Sequence, residues 1–425
     1  SLRNNTTASN NTAVGQSSLK ANTTGGDNTA CGSIALDANT TGANNDAFGR
    51  NALGKNTTAS NNVALGNNSL SNNTTGAKNT AGGVSALFTS TTADNNTAFG
   101  YQALYANTTG TENTAIGGHA LDANTTGSQG VAIGYNALTS QNGDVKNTAV
   151  GYRALQALTN GDANVGMGRD VLYSLTTGDG NVAIGNDALG NNTTANNNTA
   201  VGKVALGANT TGTQNTAVGG NTLANCTTGE KNNAFGYNAL NAVTTGDSNT
   251  AVGRDTASGI TTGSNNFAIG NDAGNVNSAA NITTHSNHGV LGNNSMTFIG
   301  AQVSLTVSSD QRDKTDITDF TKGLEIINAL RPVTYKWDQR SDYSSDLSVT
   351  PDGTHKKSKL NLGLLAQEVH AVEKANGYGN TENDYLFINL SEDGKKYGLQ
   401  YERLVPALIN AVKELSTRVT ALEAG

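Results

Sequence analysis

Proline is missing from the first 309 residues; all three, Pro332, Pro351 and Pro406, lie beyond them. Proline cannot donate to a strand ladder, so this absence leaves a long N-terminal part free to pair its backbone without a break. Charge is scarce too, at 14% of residues. Of 59 charged residues, 33 fall in the last 116, as 15 Lys/Arg and 18 Asp/Glu. The single tryptophan, Trp337, lies there as well. These shifts put a domain boundary near 300–310. A net charge of −7 offers no basic face, so no nucleic-acid partner is expected. No apolar run approaches the ~20 residues that cross a bilayer, so no membrane insertion is expected.

What fills the first part is a repeat of 17 residues. One copy reads Asn11-Thr12-Ala13-Val14-Gly15, then Leu19, then Asn22-Thr23-Thr24-Gly25. Its strand glycine recurs sixteen times from Gly15 to Gly270 without a slip. Ala stands two before it in fifteen copies, Gly166 being the exception. An apolar residue stands just before it in all but one, where Gly82 does. Leu stands four after it in fourteen, replaced by Ala257 and Gly274 in the last two. A fixed period of this kind marks a solenoid. Seventeen residues are too few for a helix pair, and suit one coil of two short strands and two turns. Along the strand, Ala faces a cramped interior and Val, Ile or Phe a neighbouring surface. Asn-Thr-Thr-Gly reads as a turn, since Asn and Gly tolerate left-handed dihedrals. At ~4.8 Å per coil the stack makes a rod of roughly 75 Å. Each coil supplies a thin core, so packing of several chains is expected as well. The fold class predicted is mostly β: a parallel β-roll or β-solenoid of 17-residue coils, homotrimeric, followed by a small α+β domain ending in a coiled-coil helix.

The first residues do not read as a signal peptide. Leu2 sits at the place of the coil leucine and Ala8 at that of the turn glycine, so more coils or an attachment module are expected upstream. Cys31 and Cys226 are too far apart along the rod, roughly 50 Å at ~4.8 Å per coil, to bridge within one chain. Cys31 takes the apolar slot and reads as core rather than reactive thiol. The many Asn-x-Thr sequons recur in phase with the coil and read as turn chemistry. Tyr101, Tyr135, Tyr152 and Tyr237 each follow the strand glycine and read as an aromatic ladder, with sugar stacking as the functional alternative. The pattern over about residues 1–275 resembles the head repeats of trimeric autotransporter adhesins. That resemblance implies a left-handed parallel β-roll in three chains.

Residues 276–308 keep some repeat character but lose register, and form a candidate tip. His285 and His288 there are weak metal candidates; loop histidines are the plainer reading, and no metal or cofactor is expected. Beyond 308 the pattern changes. Residues 323–330 read as a helix, 331–337 and 360–365 as strands, and 366–373 as a second helix. Glu392-Asp393-Gly394 reads as a hairpin turn. Leu404, Leu408, Ala411, Leu415 and Leu422 form the core of a C-terminal coiled coil over 402–423, with Arg418 in one core slot and Pro406 in the first turn.

Four segments carry a second resemblance: Ser309-Asp310-x-Arg312-x-Lys314, Leu330-Arg331-Pro332-Val333-x-Tyr335-x-Trp337, Gly363-x-x-Ala366-Gln367-Glu368-Val369 and Tyr401-x-x-Leu404-x-Pro406. Together, over residues 309–425, they resemble the C-terminal intramolecular chaperone domain of phage tail fibres, tailspikes and endosialidases. In that family the domain trimerises, templates the fibre and cuts itself off. The resemblance implies Ser309 as nucleophile, Lys314 as base and cleavage at Ser309 or Asp310. A lysine serves as base if burial or a cation favours its neutral form; Arg312 is the candidate cation. Sixteen near-identical coils slip register at little local cost, which a trimeric clamp prevents.

The function expected is a trimeric tail-fibre shaft for host attachment, extracellular and on a virion. Its receptor is a cell-surface glycan or protein. Its only peptidase activity is one self-cleavage. A bacterial cell-surface adhesin is the alternative, and a glycan-cleaving tailspike the least favoured.

Overall fold

The computed structural model describes the chain except residues 144–145, 276–281, 297, 301, 303–307, 345–346 and 391–393; residue 382 is described by its backbone alone. The chain divides into two compact units, Ser1–Asp272 with Ile282–Gly289, and Ala273–Asn281 with Val290–Gly425.

In the first unit each repeat closes one coil. Sixteen three-residue strands, β1 (Thr12–Val14) to β16 (Phe267–Ile269), stack in parallel. Every pairing is offset by one repeat, as Thr12 with Thr29, Ala13 with Ala30 and Val14 with Cys31. The fold is the β-solenoid that the period predicts. Each coil holds one strand rather than the two expected. The remainder turns too sharply for a second, because three non-glycine residues per coil take left-handed backbone. In one coil these are Asp27, Ile34 and Leu36, at φ 56°, 55° and 49°.

The coil leucines are the informative case. All fourteen, from Leu19 to Leu240, have positive φ and are fully buried. A left-handed residue costs about 1–2 kcal/mol, while burying a leucine side chain gains about 1.5–3 kcal/mol. Burial wins narrowly. The strand glycine is required on two grounds. Gly32 has φ +149°, and a Cβ there would lie 2.3 Å from the carbonyl oxygen of Gly49 on the next coil.

Strand alternation puts Ala30 and its equivalents wholly inside and the following residue outside. Cys31 is therefore exposed, which corrects its reading as core. Val14, Phe48, Leu65, Phe99, Ile116 and their successors form an exposed apolar column along the solenoid. Cys226, by contrast, is buried, and burial pushes its thiol up to about 12.

Asparagine does more than turn the chain. Two columns of it are buried inside the coils. In the first, Asn62 Oδ1 accepts from the backbone N–H of Asn79, and its Nδ2 donates to the carbonyl of Gly76, both on the next coil. The second column, with Asn39, Asn56 and Asn73, bonds amide to amide down the stack. Sequon asparagines such as Asn22 and Asn39 belong to it and are fully buried. The first column fails once, at Gly130, and there the longer Gln141 reaches across to Asn147 Nδ2 at 3.1 Å. After β16 the ladder resumes at an offset of 22: His288 N–H donates to Asn266 Oδ1 at 2.9 Å, and Asn265 Nδ2 to Asn287 Oδ1 at 2.7 Å. Residues 282–289 thus continue the solenoid past the register loss seen in the sequence. A short strand, β17 (Gly289–Leu291), follows.

The second unit is a small α+β assembly. Helix α1 (Leu324–Ala329) precedes β18 (Val333–Tyr335), which pairs antiparallel with β19 (Asn361–Gly363). Helix α2 (Ala366–Ala375), the hairpin of β20 (Ile388–Leu390) and β21 (Tyr397–Leu399), and α3 (Leu404–Glu423) complete it. The hairpin flanks the expected turn, of which Glu392 and Asp393 lie outside the described residues. Ile326, Val369, Phe387, Ile388, Leu404 and Ala407 form the core.

The two asparagine columns differ in what a substitution exposes. Asn62→Leu orphans a backbone donor and a carbonyl, and is expected to cost about 2–4 kcal/mol. Asn73→Leu is expected to cost under about 1 kcal/mol, because Leu158 and Leu175 already occupy that column fully buried. Guanidinium unfolding of the two variants measures this; equal losses would refute the distinction.

Candidate functional site

The site is a reversal of the chain at the start of the second unit's polar segment. Asp310 opens a single helical turn over Gln311–Asp313, its carboxylate accepting from the N–H of Arg312. The turn closes with Lys314 N–H donating to Gln311 O at 3.2 Å. That brings Lys314 back to Ser309, with Nζ 2.6 Å from Oγ. Five residues of separation are spanned by one turn, and both side chains are exposed. As an ammonium Lys314 donates to the hydroxyl. As a free amine it accepts the hydroxyl proton across the same contact, which is what a serine nucleophile requires.

Arg312 takes another partner. Its Nη2 lies 2.6 Å from Asp310 Oδ2, and its Nε 3.1 Å from Oδ1. The guanidinium holds the Asp310 carboxyl below its usual range, and the carboxylate in turn raises Arg312. The cation expected to act on Lys314 is thus neutralised by its neighbour.

The other motif segments meet in space, which their spacing does not reveal. Arg331 pairs with Glu368, its Nε 3.2 Å from Oε2, joining the second segment to the third. Tyr401 of the fourth accepts from the N–H of Leu364 through its hydroxyl at 2.9 Å. Gly363 makes that possible: a Cβ there would lie 2.4 Å from Tyr401 Oη. Tyr335 and Trp337 stack edge to face at 5.3 Å.

Residues 309–378 match the family model described as the chaperone of endosialidase. No curated protein and no solved structure gives a significant match to the chain. Ser309 opens the chaperone segment, with Lys314 five residues in.

Of the coiled-coil positions, Leu404 and Ala411 are buried within the unit itself, where α3 packs on α1. Leu408, Leu415 and Leu422 are exposed. They alternate with exposed Val405, Val412 and Val419, which take the places expected for Leu404, Ala411 and Arg418 in the exposed stripe. Leu404, Ala407 and Ala411 obey the same spacing one step away, which is why sequence alone mixed the two faces. Pro406 sits in the first turn of α3 as expected. His285 and His288 lie with ring centroids 4.9 Å apart; among the described residues no third His, Cys, Asp or Glu joins them. Tyr101, Tyr135 and Tyr152 do form a ladder, bridged by His119, while Tyr237 stands apart.

Gly363→Ala is expected to displace Tyr401 and cost about 1–3 kcal/mol by overpacking. Adding Tyr401→Phe removes the oxygen the new methyl meets, so the double variant should lose less than the sum of the singles. Additive losses in unfolding measurements would show that the two do not touch.

Proposed function

We propose that the chain is a trimeric tail-fibre shaft for host attachment, whose C-terminal domain aligns the chains and then releases itself by cleavage at Ser309. The observation that carries this reading is the 2.6 Å contact of Lys314 with Ser309 at the head of the chaperone segment. Ser309 is the nucleophile and Lys314 the base. The bond cut adjoins Ser309 or Asp310, once per chain. Both groups lie open to water in the single chain. Burial favours the neutral form of an amine, so covering the dyad by association would arm it only after assembly. Cleavage after assembly makes folding one-way, because the template departs.

Two unpartnered apolar surfaces support association with copies of the same chain. On α3, Val405, Val412 and Val419 occupy one heptad position and Leu408, Leu415 and Leu422 the other. Val and Leu in these places suit a parallel pair in isolated coils. Exposed Ile409 beside them widens the stripe and suits a third helix. Along the solenoid, the exposed strand column offers apolar side chains coil after coil. A copy in register would bury each row against its own equivalent. The fibre would act outside the cell, on a virion, with a host surface receptor.

Wild-type chain should yield two fragments on a denaturing gel, parted near residue 309, and Ser309→Ala and Lys314→Ala a single full-length band. A shortened Ser309→Ala chain would sink the assignment. The uncleaved variant should sediment as three chains; a stable pair or a single chain would overturn the trimer. Cys31 tests the strand column. Mild oxidation of the assembly should link two of its chains through Cys31, and Cys31→Ser should abolish the link. No linked product from the assembled protein would mean that another face joins the chains.

A further inference from the structure

Aromatic side chains are unevenly placed along the solenoid. Of the six tyrosines in residues 1–275, five lie between positions 101 and 173. Tyr101, His119, Tyr135 and Tyr152 follow one another in ring contact at 5.3, 6.1 and 5.9 Å. The row is carried on by Arg153, whose guanidinium carbon lies 5.0 Å from the Tyr152 ring and 4.7 Å from that of Tyr173. Arg153 is also held by Asp170, Nε to Oδ1 2.7 Å, and Asp170 is itself buried. A cation clamped between two rings and a carboxylate is a fixed wall, and it fixes Tyr173 with it.

Immediately beyond Tyr173 the surface drops. The column that holds Phe88, Tyr105, Gln156 and Tyr173 continues as Gly190, Gly207 and Ala224. Three small residues in succession open a trough of about 450 Å³, roughly 14 Å long at ~4.8 Å per coil. Asp187 and Asn191 border it. Asn191 Nδ2 uses one bond, to Gly207 O at 2.9 Å, which leaves a second amide hydrogen and its oxygen for a ligand.

We propose that this trough binds a neutral oligosaccharide. The C–H face of a sugar ring stacks on an exposed aromatic face, and Tyr173 presents one at the mouth. Hydroxyl groups need donors and acceptors together, and Asp187 and Asn191 provide both. Arg153 and Arg169 are balanced by two carboxylates, Asp170, which accepts from both, and Asp187 on the border of the trough. No net positive charge is left to select an acidic sugar or a phosphate backbone. A peptide would need a free strand edge or side-chain pockets. Here the strands are paired on both sides and the floor is glycine. The proposal rests on the reading of the chain as an attachment fibre, for which it names the ligand class.

The test is an array of neutral oligosaccharides, with sialylated and uronic-acid glycans beside them, probed with the full-length chain and three variants. The wild type should bind members of the neutral set. Tyr173→Ala removes the stacking face and should weaken binding at least tenfold. Gly190→Tyr copies the residue of the preceding coil into the trough. The nearest atom to a Cβ there, Asp187 O, is 3.3 Å away, so the coil accommodates it with a small shift. It should weaken binding at least tenfold while chain mass and self-cleavage stay as in the wild type. Tyr237→Ala, outside the row, should bind as the wild type does. If Gly190→Tyr fails to assemble, Tyr173→Ala still decides. Binding confined to acidic glycans, or unchanged in Tyr173→Ala, overturns the proposal. A chain that assembles and cuts itself but binds no neutral glycan overturns this inference alone and leaves the fibre reading in place.

Discussion

The solenoid depends on one contact repeated at every coil: a buried asparagine amide whose oxygen accepts the next coil's backbone N–H and whose nitrogen donates to that coil's turn carbonyl. Both bonds are buried, so losing the side chain leaves two backbone groups unsatisfied. This explains why the period never varies within the sixteen coils. One residue more or fewer between the amide and the strand would misalign every bond of the pair. The insertion after β16 confirms the rule by where it falls. In the sequence the extra residues fall between Asn275 and Ile282, and Asn266 still meets His288. At Gly130 the column is broken and Gln141 fills the gap from the neighbouring one.

The same geometry sets what the interior can hold. Alanine, leucine and asparagine fill it, and glycine lets successive coils approach within contact of their carbonyls. The larger apolar residues, Phe48, Phe99, Phe235 and the valines and isoleucines between them, are left on the outer face of the strands. They alternate with the buried alanines along each strand, so the pleat turns them outward. Their burial, worth about 25 cal/mol per Å² of apolar surface, is available only through another surface. Leucine is the commonest large side chain inside, and at the coil position it enters by a left-handed turn whose strain its own burial offsets.

The second unit is built on the opposite plan. Its contacts occur once each: Arg331 with Glu368, Tyr401 with the backbone beside Gly363, Asn410 with the carbonyl of Phe320. A set of unlike contacts has one arrangement that satisfies them all, whereas a stack of like coils has many that differ by 17 residues. A unit with a single solution can hold register for one that has several. The Ser309–Lys314 contact stands outside this core, on a turn made by local hydrogen bonds.

By itself the sequence determined the period, the parallel stacking that a fixed period imposes and the side of the strand on which alanine lies. These features follow from local spacing. Ser309 and Lys314 are paired in the sequence by resemblance to a family, and one capped turn sets them 2.6 Å apart in the fold. Only the tertiary structure decided that asparagine is an interior ladder rather than surface turn chemistry, since its partners lie one coil away. It likewise decided that Arg312 serves Asp310, that Cys31 faces outward, and that Leu404 and Ala411 pack inside their own unit while the valine–leucine stripe does not. In each of these cases two or more arrangements satisfy the same spacing along the chain, and the choice rests on which neighbours from elsewhere in the fold are near enough to bond or to exclude water.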